Sequence, residues 1–369
     1  MQKLTKRILS FTSSSNQSRC YNYHNIETQQ RKKLKQVVES LWNGDGESQI
    51  QAALELCRLS SKQRHKLEES RVMVPLISML HSENYEAVEA ALCALLSLSF
   101  GSERKLFQNF YRNKIRIIKY GSLPVLLSLL HCDSQRAADL TLAAMLTLSS
   151  CKANKVAIAS SGAVQLLVGF VNNKDYSTQS QLDAIATLQN LTTCKEIVPL
   201  IVSSGVMLSL LELIHTSVKS SPLVEKAIGL LENLVSSSES ALCEAANTIG
   251  AIRILVETIE DGSSLSKEYA VCILLLVCQS CREKYRGLIL TEGVMPGLLQ
   301  LSVDGTWRAK SMARELLLLL RDCSNYSSRC KQIDHELIER IMDEIEAEGE
   351  ELADTTLRLV EEMIAKLHA

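Results

Sequence analysis

A glycine-centred segment recurs along the chain at nearly constant spacing, and this repetition limits the fold more than any other feature. The segments YGSLPVLLSLL, SGAVQLLVGFV, SGVMLSLLELI, IGAIRILVETI and EGVMPGLLQLS carry their glycines at Gly121, Gly162, Gly205, Gly250 and Gly293. Successive glycines are 41, 43, 45 and 43 residues apart, and Arg71 stands at the same place in SRVMVPLISML, 50 residues before the first. A fixed period of this length is typical of stacked repeats.

Each segment predicts a helix that starts after the glycine, because glycine tolerates the left-handed turn that ends one helix before another begins. A longer apolar stretch then follows in each repeat: AVEAALCALLSLS, DLTLAAMLTLSS, QLDAIATLQNLT, VEKAIGLLENLV, KEYAVCILLLVC and SMARELLLLLRD. These stretches are apolar on most of their helical surface, so each must pack between other helices. One repeat cannot bury such surfaces alone, whereas stacked repeats can.

Composition agrees with an all-helical protein packed by aliphatic side chains. Hydrophobic residues make up 46% of the chain, aromatic residues only 4%, and there are five prolines. The twelve cysteines are spread along the whole chain, which favours reduced thiols in a cytosolic or nuclear protein over a disulfide framework. The isolated Cys278-Gln-Ser-Cys281 has no second pair nearby, so we expect neither a zinc nor a redox site there.

The repeated unit, Gly-x-x-Pro-x-Leu-Leu-x-Leu-Leu followed by Ala-x-x-x-Leu-x-Asn-Leu, resembles the armadillo (ARM) repeat. More narrowly, FGSER and NKIRIIKYGSLPVLLSLL, AVCILLLVC and DGTWRAKSMARELLLLLRD resemble the ARM region of plant U-box ubiquitin ligases. The resemblance implies an all-α fold, a right-handed α-α superhelix (an ARM-repeat solenoid) of about seven repeats. No Cys-Pro-Ile type segment precedes the array, so we do not expect the chain to recruit a ubiquitin-conjugating enzyme itself.

Three regions are predicted. Residues 1–30 carry four bases and one acid around a serine-rich run, and are either a disordered leader or an organelle transit peptide. Residues 31–330 form the ARM solenoid. Residues 331–369 carry twelve acids and four bases in two amphipathic helical patterns. This tail either caps the last repeat or lies in the mildly basic groove as an internal competitor for partners.

The resemblance assigns the third helix of each repeat to the concave groove, where an asparagine near the helix end binds the backbone of an extended peptide. An amide suits this role because it both donates and accepts hydrogen bonds. The matching candidate residues are Asn190, Asn233, Thr147, Ser97 and Arg58, with Leu276 in a further repeat. The alternative is that the two asparagines cap or solvate the ends of their own helices.

Asn190-Leu191-Thr192 also matches the acceptor pattern for N-linked sugars. Because the motif falls in a packed helix, the groove position explains Asn190 better than glycosylation does. Nuclear-import receptors of the same superfamily place tryptophan one turn before the asparagine. Here Gly229 and Cys272 are two of the five matching residues, and none is aromatic, so binding of basic import signals is not expected.

The spacing of 50 residues indicates an insertion at 105–112, predicted as a loop between helices. It contains Phe107, Phe110 and Tyr111 in a chain poor in aromatic residues. Exposed aromatic side chains would make it a contact loop for a partner. The alternative is a tolerated surface insertion without a role.

No catalytic constellation, metal site or cofactor site is predicted. His81, His131 and His215 occupy one register in different repeats, too far apart to share a zinc ion and suited instead to helix C-termini. Bases and acids alternate through the body, which favours neither nucleic acid nor membrane, and no stretch of eighteen apolar residues occurs.

The sequence therefore predicts a non-catalytic, monomeric scaffold, cytoplasmic or nuclear, that binds a protein or peptide in its concave groove. Candidate partners are a ubiquitin-pathway substrate or a kinase. The alternative function is that of a substrate-recognition or regulatory subunit in a ubiquitin ligase pathway, a relative of the U-box proteins without its own U-box.

Overall fold

A computed structural model describes residues 32–60, 72–99, 107–173 and 175–321, together with residues 29 and 63. All regular structure in these residues is helical. The helices fall into two compact units, one up to Asn154 and one from Lys155 onward. The predicted acidic tail lies outside the described residues, as does the predicted leader apart from residue 29.

The first unit builds its core from three long helices packed side by side in chain order, α2 on α4 and α4 on α7, with shorter helices beside them. Its helices are α1 (32–43), α2 (Gly46–Arg58), α3 (Met73–Met79), α4 (Tyr85–Ser99), α5 (Phe107–Lys119), α6 (Ser122–Leu129) and α7 (Gln135–Ser149). The long helices bury Leu56, Leu92 and Leu142 completely. These are the apolar stretches that the sequence placed between neighbouring helices.

The second unit repeats the arrangement, with α10 packed on α13, α13 on α16 and α16 on α19. Its helices are α8 (Lys152–Ser160, which starts just before the boundary), α9 (Ala163–Val171), α10 (Thr178–Thr192), α11 (Val198–Ser203), α12 (Val206–Thr216), α13 (Pro222–Ser237), α14 (Glu239–Asn247), α15 (Ala251–Asp261), α16 (Ser264–Ser280), α17 (Arg282–Thr291), α18 (Met295–Asp304) and α19 (Trp307–Leu320). A complete repeat therefore has three helices, and the third is the longest.

The turns follow the chemistry expected from the sequence. The five repeat glycines all have φ between 77° and 88°, in the left-handed region, at the junction of the first and second helices. Four third helices of the second unit begin at a hydroxyl side chain that accepts a backbone N–H, with Ser177, Ser221, Ser263 and Thr306 as the caps. These caps satisfy amides that the first turn of a helix leaves unpaired.

The first helices hold the ends of the third helices. In the first unit, Asn113 donates from Nδ2 to the Leu98 carbonyl at 2.9 Å, and Asn154 donates to the Leu148 carbonyl at 3.1 Å. In the second unit, Lys155 Nζ donates to the Asn190 carbonyl at 2.6 Å. Amide and ammonium groups thus donate hydrogen bonds to carbonyls that have no partner within their own helix at its C-terminus.

Among the described residues, no single helix is both long enough and apolar enough to cross a membrane, although the bent pair α8 and α9 meets the length and composition test together.

Candidate functional site

The third helices of each unit keep one stripe partly exposed, and we call this stripe the third-helix face. In the first unit it includes Ser97 and Thr147. In the second unit it comprises Ala186, Asn190, Asn233, Tyr269, Cys272 and Leu276, with Gly229 buried beneath the Tyr269 ring. Neighbouring members on one helix are three or four residues apart, which places their side chains on the same side of that helix.

Asn190 is half-buried two residues before the end of α10. Its backbone carbonyl accepts from Lys155 Nζ at 2.6 Å and from the Thr193 hydroxyl at 2.8 Å. The following Leu191 and Thr192 are buried at 0% and 4% exposure. The sequence Asn190-Leu191-Thr192 is therefore the last turn of a packed helix, which is a poor setting for attaching a sugar.

Asn233 stands at the same register on α13, four residues before the end of the helix. Its side-chain oxygen Oδ1 is buried and has no hydrogen-bond partner among the described residues. Its backbone carbonyl accepts from the Ser237 hydroxyl at 2.6 Å. A buried amide oxygen without a hydrogen bond destabilises the folded state. A partner that donates a hydrogen bond to this oxygen would therefore stabilise the complex.

Tyr269 is an aromatic residue of this face that the sequence reasoning missed. A Cβ atom on Gly229 would lie only 3.2 Å from Cε2 of the Tyr269 ring, so the ring of α16 rests on the bare backbone of α13. Burial raises the pKa of the tyrosine, and the carboxylates of Glu232, Glu268 and Glu225 raise it further. The register alone places Tyr269 about one helical turn before Cys272, but its contact with Gly229 on another helix has no signal in the sequence.

Carboxylates dominate the electrostatics around Tyr269 and Cys272. Burial raises the pKa of the Cys272 thiol to about 12, and Glu232 contributes through its charge and through a hydrogen bond. The thiol donates to Glu232 Oε1 at 3.4 Å. Glu268 is paired with Arg308 at 3.0 Å, while Glu225 accepts from the Ser263 hydroxyl at 2.7 Å. This part of the third-helix face is therefore acidic, and the expectation of a mildly basic groove is wrong here.

The candidate residues of the first unit differ in what they offer a partner. The Ser97 and Thr147 hydroxyls donate to their own helices, to the carbonyls of Ala94 at 2.7 Å and Ala143 at 2.9 Å, so their oxygens are left to accept. Arg58 is exposed in the last turn of α2. Its positive charge stabilises the C-terminal end of α2 and could also attract an acidic partner.

The predicted insertion loop is a helix from Phe107 onward, since α5 runs from Phe107 to Lys119. The prediction of a loop is wrong because the apolar residues of the insertion continue the helical pattern of the segment after it. Phe110 is 7% exposed and belongs to the core, whereas Tyr111 is 38% exposed. A hydrogen bond with the Cys151 thiol raises the pKa of Tyr111. Tyr111 is thus the described aromatic residue of this segment that a partner could reach.

The histidines and tryptophans lie away from the third-helix face. His81, His131 and His215 are exposed at or just beyond the ends of α3, α6 and α12. In the part of the chain that the structure describes, no cluster of His, Cys, Asp or Glu could hold a metal ion. Trp42 lines a cleft of about 360 Å³ in the first unit, together with residues of α2 and α3, and Trp307 begins α19.

Solved structures of engineered proteins are similar to this chain. One engineered protein aligns with a TM-score of 0.66 at 19% identity, over 90% of this chain and 89% of its own. A second aligns with a TM-score of 0.56 at 20% identity, over 67% of this chain and 98% of its own. A designed armadillo repeat protein aligns with a TM-score of 0.41 at 18% identity, over 78% of this chain and 99% of its own. At these identities the likeness concerns the fold.

One curated relative is U-box domain-containing protein 45 of Arabidopsis thaliana, 32% identical over 88 residues. The match spans 23% of this chain and 11% of that protein. No family model matches the chain. The predicted all-α repeat fold is confirmed in the described residues, and the predicted resemblance to a U-box protein holds over 88 residues of this chain.

Proposed function

We propose that the chain is a non-catalytic scaffold that binds a protein or peptide partner on its third-helix faces. An ARM-type fold suits protein binding, and the observation that carries the finer proposal is the amide of Asn233. Its oxygen lacks a hydrogen-bond donor among the described residues, and Gly229, one helical turn earlier on α13, lies under the Tyr269 ring. A backbone N–H of an extended peptide would supply that donor, and the tyrosine ring would supply contact area.

The test uses two asparagines of similar burial. Asn233→Ala removes the proposed contact, while Asn172→Ala changes a half-buried asparagine at the end of α9, outside the third-helix face. Partners are first recovered by proximity labelling in cells and then titrated against the purified chain. We expect Asn233→Ala to weaken binding about three- to tenfold, as for loss of one hydrogen bond, and Asn172→Ala to leave it unchanged. Equal affinity for both variants would contradict the groove model.

Hydrogen exchange supplies an independent check on the surface used. A bound partner should slow exchange at the ends of α10 and α13, near Asn190 and Asn233. Protection confined to the second helices, such as α12 and α15, would place the partner elsewhere and refute the proposal. The compartment that we propose is the cytosol or the nucleus, and fluorescent tagging of the full chain tests that placement.

A second candidate function is that of a subunit in a ubiquitin ligase pathway, supported by the partial similarity to U-box domain-containing protein 45. A ubiquitination assay with purified components distinguishes the two. Ubiquitin transfer only when a ligase subunit is added would favour this second function. Transfer by the chain alone would contradict both, because both treat it as non-catalytic.

A further inference from the structure

The outward side of α19 lacks a packing partner among the described residues, although the same side of α16 is covered. Glu268 contacts Thr306 and Arg308 of α19, and Gln279 donates to Glu315 of α19 at 2.7 Å. Between these two contacts, Val271 and Leu275 of α16 are 0% and 6% exposed. The stripe from Glu268 to Gln279 is therefore the surface on which the next third helix packs.

The equivalent stripe on α19 is open. The caps Ser263 and Thr306 are 43 residues apart, so Glu268, Val271 and Leu275 correspond to Ser311, Arg314 and Leu318. Leu318 is 43% exposed, and Trp307, one turn before Ser311, is 80% exposed. We call Trp307, Ser311, Arg314 and Leu318 the end face. Ser311, Arg314 and Leu318 stand where α16 buries its own residues, whereas Trp307 corresponds to the exposed Ser264 and extends the end face by one turn.

The chain that follows has the chemistry to cover this surface. Residues 331–369 carry twelve acids and four bases, with apolar residues at helical spacing in 337–345 and 352–367. The link from 321 to 334 can span about 43 Å when extended. That is longer than α19, whose 14 residues rise about 21 Å. The acidic segment can therefore reach every part of the end face.

The acidic segment could lie on the end face or on the third-helix face, and the charges of the two surfaces favour one of them. The charges that act on Tyr269 are the carboxylates of Glu232, Glu268 and Glu225 and the guanidinium of Arg308, which is paired with the buried Glu268. A segment with eight more acids than bases would be repelled there, whereas the end face offers Arg314 beside apolar surface. We propose that residues 334–367 pack on the end face as the cap of the array and leave the third-helix face open to a partner.

Site-specific crosslinking in the full chain tests the placement. The photoreactive residue p-benzoylphenylalanine replaces Leu318 in one variant and Asn233 in the other, each made as a mixture of isotopically light and heavy chains. We expect the Leu318 variant to crosslink to residues 334–367 within one molecule. Crosslinks to that segment from position 233 alone, from neither position, or only between light and heavy chains would each overturn the proposal.

A second measurement covers the case in which the photoreactive group itself disturbs the end face. Leu318→Asp is compared with Leu200→Asp, because Leu200 on α11 is 44% exposed and so matches Leu318 closely. Amides of residues 334–367 should exchange about tenfold faster in Leu318→Asp and in Arg314→Glu than in the wild-type chain. Leu200→Asp should leave them unchanged. Equal exchange in all four chains would overturn the cap.

Discussion

At the scale of single residues, the acidic surroundings of Cys272 have a chemical consequence. The reactive form of a cysteine is the thiolate, and a pKa of about 12 keeps Cys272 a thiol near neutral pH. Cys243, by contrast, is exposed on α14. We predict that iodoacetamide at pH 8.5 modifies Cys272 at least about 100-fold more slowly than Cys243, as read from peptide masses over time.

Substitution of a carboxylate distinguishes the effect of charge on the reaction rate of Cys272 from the effect of burial. Glu232→Gln should speed modification of Cys272 several-fold, because it removes the nearest negative charge that opposes the thiolate. Glu292→Gln, at an exposed position after α17, is the matched control and should have no effect. If both variants behave like the wild-type chain, burial alone accounts for the slow reaction.

A residue's role can be predicted from the sequence when it depends on local conformation. It cannot be predicted when it depends on contact with a neighbouring helix. The repeat glycines could be predicted because a left-handed turn depends on one residue alone. The registers of Asn190 and Asn233 could be predicted from the period. Tyr269 could not, because its meaning comes from lying across Gly229 on another helix. The charge of the third-helix face was missed for the same reason, since residues from different repeats create it together.

At the scale of helices, the glycine turns can be tested within one element. Gly162 caps the start of α9 with φ of 88°, while Gly169 is exposed inside the same helix with open space at its Cβ position. We predict that Gly162→Ala destabilises the second unit by about 1 kcal/mol, because a side chain disfavours the left-handed region. Gly169→Ala should stabilise it by up to about 1 kcal/mol, because alanine is the better helix former.

Urea unfolding followed by circular dichroism measures both changes. The two variants add the same methyl group to the same helix, so a difference between them reports backbone conformation rather than hydrophobicity. Shifts of the same sign in both variants would count against the left-handed turn as the reason for the repeated glycine.

Helix boundaries can be predicted where capping residues mark them. The prediction fails where the sequence departs from the repeat. The third helices of the second unit start at serine or threonine caps, as sequence rules expect. In the first unit, residues 105–112 break the spacing and so predict a loop, yet α5 begins at Phe107 and buries Phe110. From Phe107 onward the inserted residues belong to a helix, and Phe110 packs in the core.

At the scale of the whole molecule, the period predicted the fold because stacking is the only way to bury six long apolar stretches. What the period leaves open is which surfaces remain uncovered. Third helices inside each unit pack on one another, and among the described residues the outward side of α19 has no further third helix packed on it. The repeat period does not predict the identity of a partner either, because the same stacking of helices supports many different binding surfaces.

Buried thiols also link the stability of the whole chain to pH. Burial raises the pKa values of Cys93 in the first unit and of Cys272 and Cys278 in the second. Unfolded cysteine titrates near pH 8.5, so above about pH 8.5 the unfolded state gives up protons that the folded state retains until its own raised pKa, which for Cys272 is about 12. The stabilisation from these protonated thiols is complete below pH 8.5 and is lost as the pH rises. Stability should therefore fall on the alkaline side.

We predict that the free energy of unfolding of the second unit falls between pH 8 and pH 10, and that Cys272→Ala makes this fall shallower by about 1 kcal/mol. The full linkage would be about 1.4 kcal/mol per pH unit, and partial exposure of the thiol reduces it. Urea midpoints at pH 7, 8, 9 and 10 in the presence of a reductant measure the effect. The cavity left by alanine lowers stability equally at every pH, so only the slope reports the thiol. Parallel curves for the two chains would show that Cys272 titrates alike in the folded and unfolded states.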